Sequence, residues 1–335
     1  MEKTALLKDY RIFAVIVCYN EKQYVVQCLE SLLTATIPIT VVVVDNHSTD
    51  GTSELLRQFG DRIVYLFQHR NLGYGIANNV GIQYALGAGA DYVLLLNMDL
   101  YLERDCVEHL LHAAIRHPEY SILAPMVWNF EKNKLEKMFF QTLSAKNELW
   151  EEDFRSWFSL LCSTDRQPEE VYRIGAWIPA ATWFVPAQVF REVGGFSPLF
   201  FPIYCEDEEL WHRMRRKGYY SGVVTSAIGY HDTETRGAPS WPVELLICNQ
   251  IYVKALDPDR SWLADYFQVQ VLTFFRIVKN LLLFRKEALV YNVNIFKRLW
   301  CSSRECLRER RCTARGEGIG IICHLITDRN ARCDN

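Results

Sequence analysis

Thr40-Val41-Val42-Val43-Val44-Asp45-Asn46 is the stretch that decides the fold. A run of β-branched residues ends abruptly in an acid and an amide. It is apolar at consecutive rather than alternate positions, which predicts a strand buried on both faces, as in a parallel sheet covered by helices. Three more segments repeat the pattern: Ile12 to Val17, Ile63 to Phe67 and Tyr92 to Leu96. Between the first two strands Val25, Cys28, Leu29 and Leu32 recur at helical spacing. Asp50 is placed to cap a short helix through Glu54, Leu55 and Leu56. The order β-α-β-α-β-α-β predicts an α/β domain with a mostly parallel central sheet flanked by helices.

In such a sheet ligands sit outside the carboxyl ends of the strands. Three of those ends are polar here: Cys18-Tyr19-Asn20-Glu21, Asp45-Asn46 and Asn97-Met98-Asp99. One Asp after a strand is often only a helix cap, but three polar ends together point to a site. The loop from Asn71 through Gly73, Gly75, Asn78 and Asn79 to Gly81 precedes a helix, so its amides suit an anionic diphosphate. It does not complete a dinucleotide fingerprint, because Asn78 stands at the third glycine position and the loop does not follow the first strand. Asn97 and Asp99 offer hard oxygen donors that suit Mg2+ or Mn2+ better than zinc. Farther on, Glu206-Asp207-Glu208-Glu209 crowds four carboxylates at a helix start, where repulsion and burial raise a pKa toward that of a general base. Basic residues fill the last turn of that helix and Gly218 stops it. His231-Asp232 adds a candidate imidazole ligand.

The chain of 335 residues is 50% hydrophobic and 23% charged, which excludes a largely disordered protein. A net charge of -3 gives no overall attraction to nucleic acid, and none is expected as a partner. Eleven cysteines, no C-x-x-C pair and no apolar signal core at residues 1 to 9 lead to an expectation of reduced thiols in the cytoplasm. The apolar stretch Tyr266 to Phe284 is broken by Arg276 and Lys279, so a spanning helix is not expected. Glu131 to Glu170 has no clean period and reads as an insertion beside an acceptor site. After Asp257-Pro258 the pattern turns helical and amphipathic. It ends in Lys297 to Arg315, where seven basic residues face two Glu, a tail suited to anionic lipid on the inner face of a membrane. Cys301, Cys306, Cys312, Cys323 and His324 fit no standard zinc spacing.

The sequence of motifs is specific. Val15 to Asn20, Val43 to Thr52, Asn71 to Gly81, Leu96 to Asp99, and Gly194-Gly195-Phe196 ahead of Glu206-Asp207 together resemble the family 2 glycosyltransferases, particularly their rhamnosyltransferase-like branch. The resemblance covers about residues 10 to 260 and implies a GT-A-like fold and inverting transfer of a sugar from a UDP- or dTDP-sugar donor to an acceptor hydroxyl. It implies Asp45 on the base, Cys18, Tyr19, Asn20 and Glu21 on the nucleoside, and Asn71, Gly73 and Asn78 beside the nucleotide. It places Asp99 on the metal with Asn97 adjoining and His231 completing the site. Asp207 is the implied catalytic base, with Glu206 as the second candidate. Two departures stand out: Asn97 opens the family's D-x-D, and the acceptor turn reads Ile178-Pro179-Ala180-Ala181. The expected organisation is a GT-A-like domain over residues 1 to 255, with a nucleotide half (10 to 100) and an acceptor half (101 to 255), then a helical region (256 to 335). The acceptor expected is a saccharide or lipid-linked saccharide. Two rival readings remain: a catalytically silent nucleotide-sugar-binding protein, and a nucleotidyltransferase, whose basic Gly-rich loop is missing after the first strand.

Overall fold

In the computed structural model, residues 9–144, 171–233, 243–315 and Gly318 are described. Residues 10 to 100, expected to form the nucleotide half, run β1 (Ile12–Cys18), α1 (Val25–Leu33), β2 (Thr40–Asp45), α2 (Thr52–Arg57), β3 (Val64–Phe67), α3 (Tyr74–Gly87) and β4 (Tyr92–Asn97). There follow β5 (Leu100–Leu102), α4 (Cys106–Arg116), β6 (Tyr120–Asn129), α5 (Lys137–Ser144), β7 (Val171–Ile174), β8 (Thr182–Pro186), α6 (Ala187–Val193), α7 (Glu206–Arg216) and β9 (Tyr220–His231). The last elements are α8 (Val243–Leu256), α9 (Trp262–Leu282) and α10 (Lys286–Ala314). All four strands expected from the sequence are present, with boundaries within one residue.

The described strands form one sheet in the order β3-β2-β1-β4-β8-β6-β9-β5, with β7 also on β9. The first four are mutually parallel, β8 runs antiparallel between β4 and β6, and β9 is parallel to β6. Strand alternation splits the core. Ile12, Ala14 and Ile16 face one layer with α1 and α4, while Phe13 and Val15 face the other with α3, α6 and α7. Both faces are covered, which is why these strands are apolar throughout. At Gly81 a side chain would stand 2.3 Å from Val15 Cγ1, so α3 sits directly on β1.

Two expectations need correction. The helical C-terminal part begins at Val243, ahead of Asp257-Pro258, which instead breaks α8 from α9. There the Arg216 guanidinium pairs with Asp257 and, at 2.7 Å, with Asp259. Within the segment 131–170, residues 137–144 are not irregular but form a helix. Glu136 accepts from the amides of Met138 (3.0 Å) and Phe139 (2.7 Å), capping α5, whose Phe139 and Leu143 enter the core. The rest of that segment, 145–170, lies outside the described residues, as do Cys323 and His324. A third core joins α8 and α10 to the turn Pro198–Phe200 through Tyr252, Leu256, Ile295 and Leu299. Two of the seven basic residues of the tail are spent on this junction. Arg298 donates to Leu199 O (3.2 Å) and Arg310 to Ala255 O (2.9 Å) and Pro258 O (3.1 Å). Cys18, Cys28, Cys106, Cys205, Cys301, Cys306 and Cys312 are free thiols. Among the described residues no helix is long and apolar enough to cross a membrane.

Candidate active site

The carboxyl ends of β1, β2, β4 and β9 and the amino ends of β5 and β8 meet on one edge of the sheet. A cleft of about 630 Å³ opens there, a volume suited to a ligand of drug or nucleotide size. Of the residues singled out from sequence, Tyr19, Glu21, Asn71, Gly73, Asn97, Glu206, Asp207 and His231 line it. Cys18, Asn20, Asp45, Asn78 and Asp99 stand behind the lining.

Those five hold the wall in place. Asp45 is fully buried and accepts hydrogen bonds from Ser53 Oγ, Tyr65 Oη (2.8 Å) and the Ser48 amide (2.9 Å). Cys18 is buried, its carbonyl accepts from the Asn46 amide at 2.8 Å, and burial with Asp45 and Glu21 nearby pushes its thiol pKa up. Asn20 adopts φ 58, and its side chain accepts from the Thr49 amide at 2.7 Å, locking the β1 loop to the β2 loop. Asn78 donates to Tyr74 O at 3.0 Å inside α3.

Asn46, which the sequence showed only as half of a strand end, organises the loop opposite. Its Nδ2 donates to Asn71 Oδ1 (2.9 Å) and its Oδ1 accepts from the Leu72 amide (2.7 Å). Asn71 Oδ1 in turn accepts from the Gly73 amide at 2.8 Å. Gly73 has φ 75 and lies so close to Pro202 that a side chain would fall 2.5 Å from its carbonyl oxygen. The next amide, Tyr74, donates to that same oxygen at 2.8 Å.

The Tyr74 side chain was invisible in the sequence pattern. Its hydroxyl lies 2.7 Å from Ala180 O and 3.1 Å from Asn97 Oδ1, joining the nucleotide half to the turn before β8. Burial, then Asp207, Glu206 and Asp99 around it, hold its pKa well above the usual phenol value. Behind the lining, buried Asp99 places Oδ1 3.2 Å from Nε2 of His231, which does line the cleft. The adjacent Asp232 accepts from Tyr24 Oη at 2.9 Å. Among the described residues no three His, Cys, Asp or Glu side chains gather as a ready cage for a metal ion.

Also lining the cleft is the start of α7. Tyr204 (φ 84) and Cys205 (φ 65) both take left-handed backbone immediately before it, a costly pair for residues with side chains. Asp207 then turns toward the Ile178 to Ala181 turn. Its Oδ2 accepts from the Ala180 amide and its Oδ1 from the Glu208 amide, each at 2.9 Å. Burial raises its pKa from 3.8 to about 6, against the lowering by those amides. Glu206 is 4% exposed, and burial followed by the Asp207 charge pushes its pKa well above the carboxylate range. Glu209 leaves the cluster, because it forms a buried ion pair with Arg213 at 2.7 Å. The four carboxylates therefore resolve into a structural pair at Glu209 and three cleft residues, Glu206, Asp207 and the half-buried Glu208.

Residues 13–162 match the glycosyl transferase family 2 model. N-acetylglucosaminyl-diphospho-decaprenol L-rhamnosyltransferase of Mycobacterium tuberculosis is 28% identical over 240 residues, spanning 67% of this chain and 76% of that protein. The low-salt glycan biosynthesis hexosyltransferase Agl10 of Haloferax volcanii is 28% identical over 228 residues, 64% of this chain and 69% of its own. Residues 1-349 of S. aureus TarS, solved in complex with UDP-GlcNAc, share the fold with a TM-score of 0.53 at 14% identity, each chain covered to 92%. The strand-end motifs gathered on one edge of the sheet fall largely within this match, so the chain is similar to the family 2 glycosyltransferases over residues 13–162.

Proposed function

We propose that the enzyme transfers a hexose-type sugar, with inversion, from a UDP- or dTDP-sugar to a hydroxyl of a saccharide or lipid-linked saccharide in polysaccharide or glycolipid assembly. The carrying observation is Asp207, a carboxylate aimed into the cleft by two backbone amides with its pKa raised to about 6. Such a group is ionised at neutral pH yet basic enough to take a hydroxyl proton. Its role is to accept that proton as the acceptor oxygen attacks the anomeric carbon from the face opposite the leaving diphosphate. The bond to the diphosphate breaks as the new glycosidic bond forms, so no covalent enzyme intermediate is needed. The lipid-linked acceptor is motivated by the mycobacterial relative, named for an N-acetylglucosaminyl-diphospho-decaprenol substrate.

The donor nucleotide belongs on the opposite wall, with Tyr19 and Glu21 on the nucleoside and the Asn71 to Gly73 loop beside the phosphates. Asp99 and His231, 3.2 Å apart, form a carboxylate–imidazole pair that fits Mg2+ or Mn2+ when phosphate oxygens and water complete the coordination. When bound, the ion neutralises negative charge developing on the leaving diphosphate. Lys297, Arg304, Arg308, Arg311 and Arg315 remain exposed on α10 and suit a peripheral contact with anionic lipid. Incubation with a panel of UDP- and dTDP-sugars and Mn2+, read as nucleoside diphosphate release with and without a lipid-linked saccharide, tests the reading. Acceptor-stimulated release is expected. Nucleotide binding without any release would make the chain a silent binding protein.

A further inference from the structure

The helix α9 is built inside out. Its buried positions include Gln270 (9% exposed) and Thr273 (4%), while Phe267, Phe274, Phe275, Val278 and Leu282 face solvent. The exposed residues recur at i, i+7, i+8, i+11 and i+15, one continuous face of a helix, and the intervening Val271 at i+4 is half-buried. A helix packed on a water-soluble body carries the opposite pattern, with its apolar stripe inward. The stripe runs on into the turn that follows, where Leu281, Leu283 and Phe284 are 59%, 50% and 91% exposed.

Charge says what covers this face. From residue 266 to 286 there is no Asp or Glu, while Arg276, Lys279, Arg285 and Lys286 are all exposed around the apolar stripe. A second copy of the chain would bring two basic rims together, which is repulsive. A bilayer with anionic headgroups satisfies both features at once, taking the rings and leucines into its acyl boundary and the cations into its phosphates. The segment is not a crossing helix, because Arg276 and Lys279 interrupt it, so it lies along the surface.

We propose that the outer face of α9 and the Leu281 to Phe284 turn form a membrane-docking surface, seated in the headgroup layer of an anionic bilayer. This surface is distinct from the exposed arginines of α10 and differs in kind: its hold is chiefly apolar insertion, whereas theirs is chiefly charge. Insertion survives salt that screens surface charge. The docking stands whether or not the donor and acceptor assignments above are right.

The test uses the full chain and flotation on vesicles of phosphatidylcholine alone or mixed with phosphatidylglycerol. Wild type is expected to float with the mixed vesicles and to remain largely bound at about 0.5 M salt, where the screening length is only a few ångströms. The triple variant Phe274→Ser, Phe275→Ser, Phe284→Ser should lose roughly tenfold or more of its partitioning, since each ring buries apolar area on insertion. Its melting temperature should match wild type, because the three side chains are exposed. Amide exchange of the wild type with and without vesicles gives a reading that needs no variant, and protection should concentrate in residues 267–286. Four results would each overturn the proposal: no flotation, complete release by salt, equal partitioning of a folded triple variant, or flotation without protection in that segment. Self-association of wild type, lost in the variant and without vesicle binding, would assign the face to a second copy.

Discussion

Asn79 and Phe196 are joined by a closed pair of hydrogen bonds. The Asn79 Nδ2 donates to Phe196 O and the Phe196 amide donates to Asn79 Oδ1, each at 2.8 Å. Both groups are buried, and Gly195 leaves no room beside them, since a side chain there would meet Asn79 Oδ1 at 2.2 Å. The pair ties α3, which follows the nucleotide loop, to the segment that leads into α7. Asn79→Ala removes one partner and strands two buried backbone groups, so a loss of about 2 to 4 kcal/mol in unfolding free energy is expected by denaturant titration.

Asp207→Asn keeps the side-chain size but can accept only one of the two backbone hydrogen bonds, since its amide nitrogen donates, and it cannot take a proton. Sugar transfer should fall by about 10²- to 10⁴-fold while nucleotide affinity by calorimetry changes little. In the wild type the rate should climb with pH up to about 6 and level off above it, because the base works only when ionised. A flat profile from pH 5 to 8 would remove Asp207 from the proton transfer.

Glu206→Gln should stabilise the fold at neutral and alkaline pH. The folded-state pKa of Glu206 is raised well above its ordinary 4.5, so between those two values the unfolded chain releases a proton that the folded chain keeps. Stability of the wild type therefore falls as pH rises through that window, and the glutamine variant escapes the penalty. Thermal unfolding of both proteins at pH 4 and pH 8 checks the sign. The difference should be small at pH 4 and favour the variant at pH 8.

If the proposed ion is held by Asp99 and His231, Asp99→Ala should abolish any rise in UDP or dTDP affinity on adding Mn2+, and His231→Ala should weaken it. Equal wild-type nucleotide affinity with and without the ion would separate both residues from metal binding.

Gly73→Ala should cost both stability and donor affinity. The position combines φ 75 with a backbone carbonyl 2.5 Å from where the methyl would go, and neither can be relieved by turning a side chain. The loop held by Asn46 must open, so nucleotide binding measured by calorimetry should weaken along with the melting temperature.

The nucleotide half was legible because its signals are local. A strand such as Val41 to Val44 is apolar on both faces and ends in an acid, and α7 carries its own start and stop within its sequence. Asn46 and Tyr74 were not legible in the same way. Their roles depend on partners at Asn71 and Ala180, 25 and 106 residues away, and nothing in an isolated Asn or Tyr announces such a partner. The start of α8 escaped because it lacks a strong apolar stripe: buried Asn249 holds Ile203 and Tyr204 carbonyls at 2.9 and 2.8 Å, a polar contact where periodicity looks for an apolar one. The acidic cluster is a different case: Glu209 and Arg213 stand i,i+4 on one helix, a pair visible in the sequence, and what the fold adds is their burial.

The cleft segments gather on one edge of the sheet, and among the described residues the opposite edge contributes nothing to the cleft lining. The turn from Gly87 to Gly89 lies there, between the end of α3 and the start of β4, with Gly87 and Ala88 exposed and open space around Gly87. That turn is the natural place to graft a reporter, an affinity handle or a new pair of chain ends, because the graft would grow away from donor and acceptor alike.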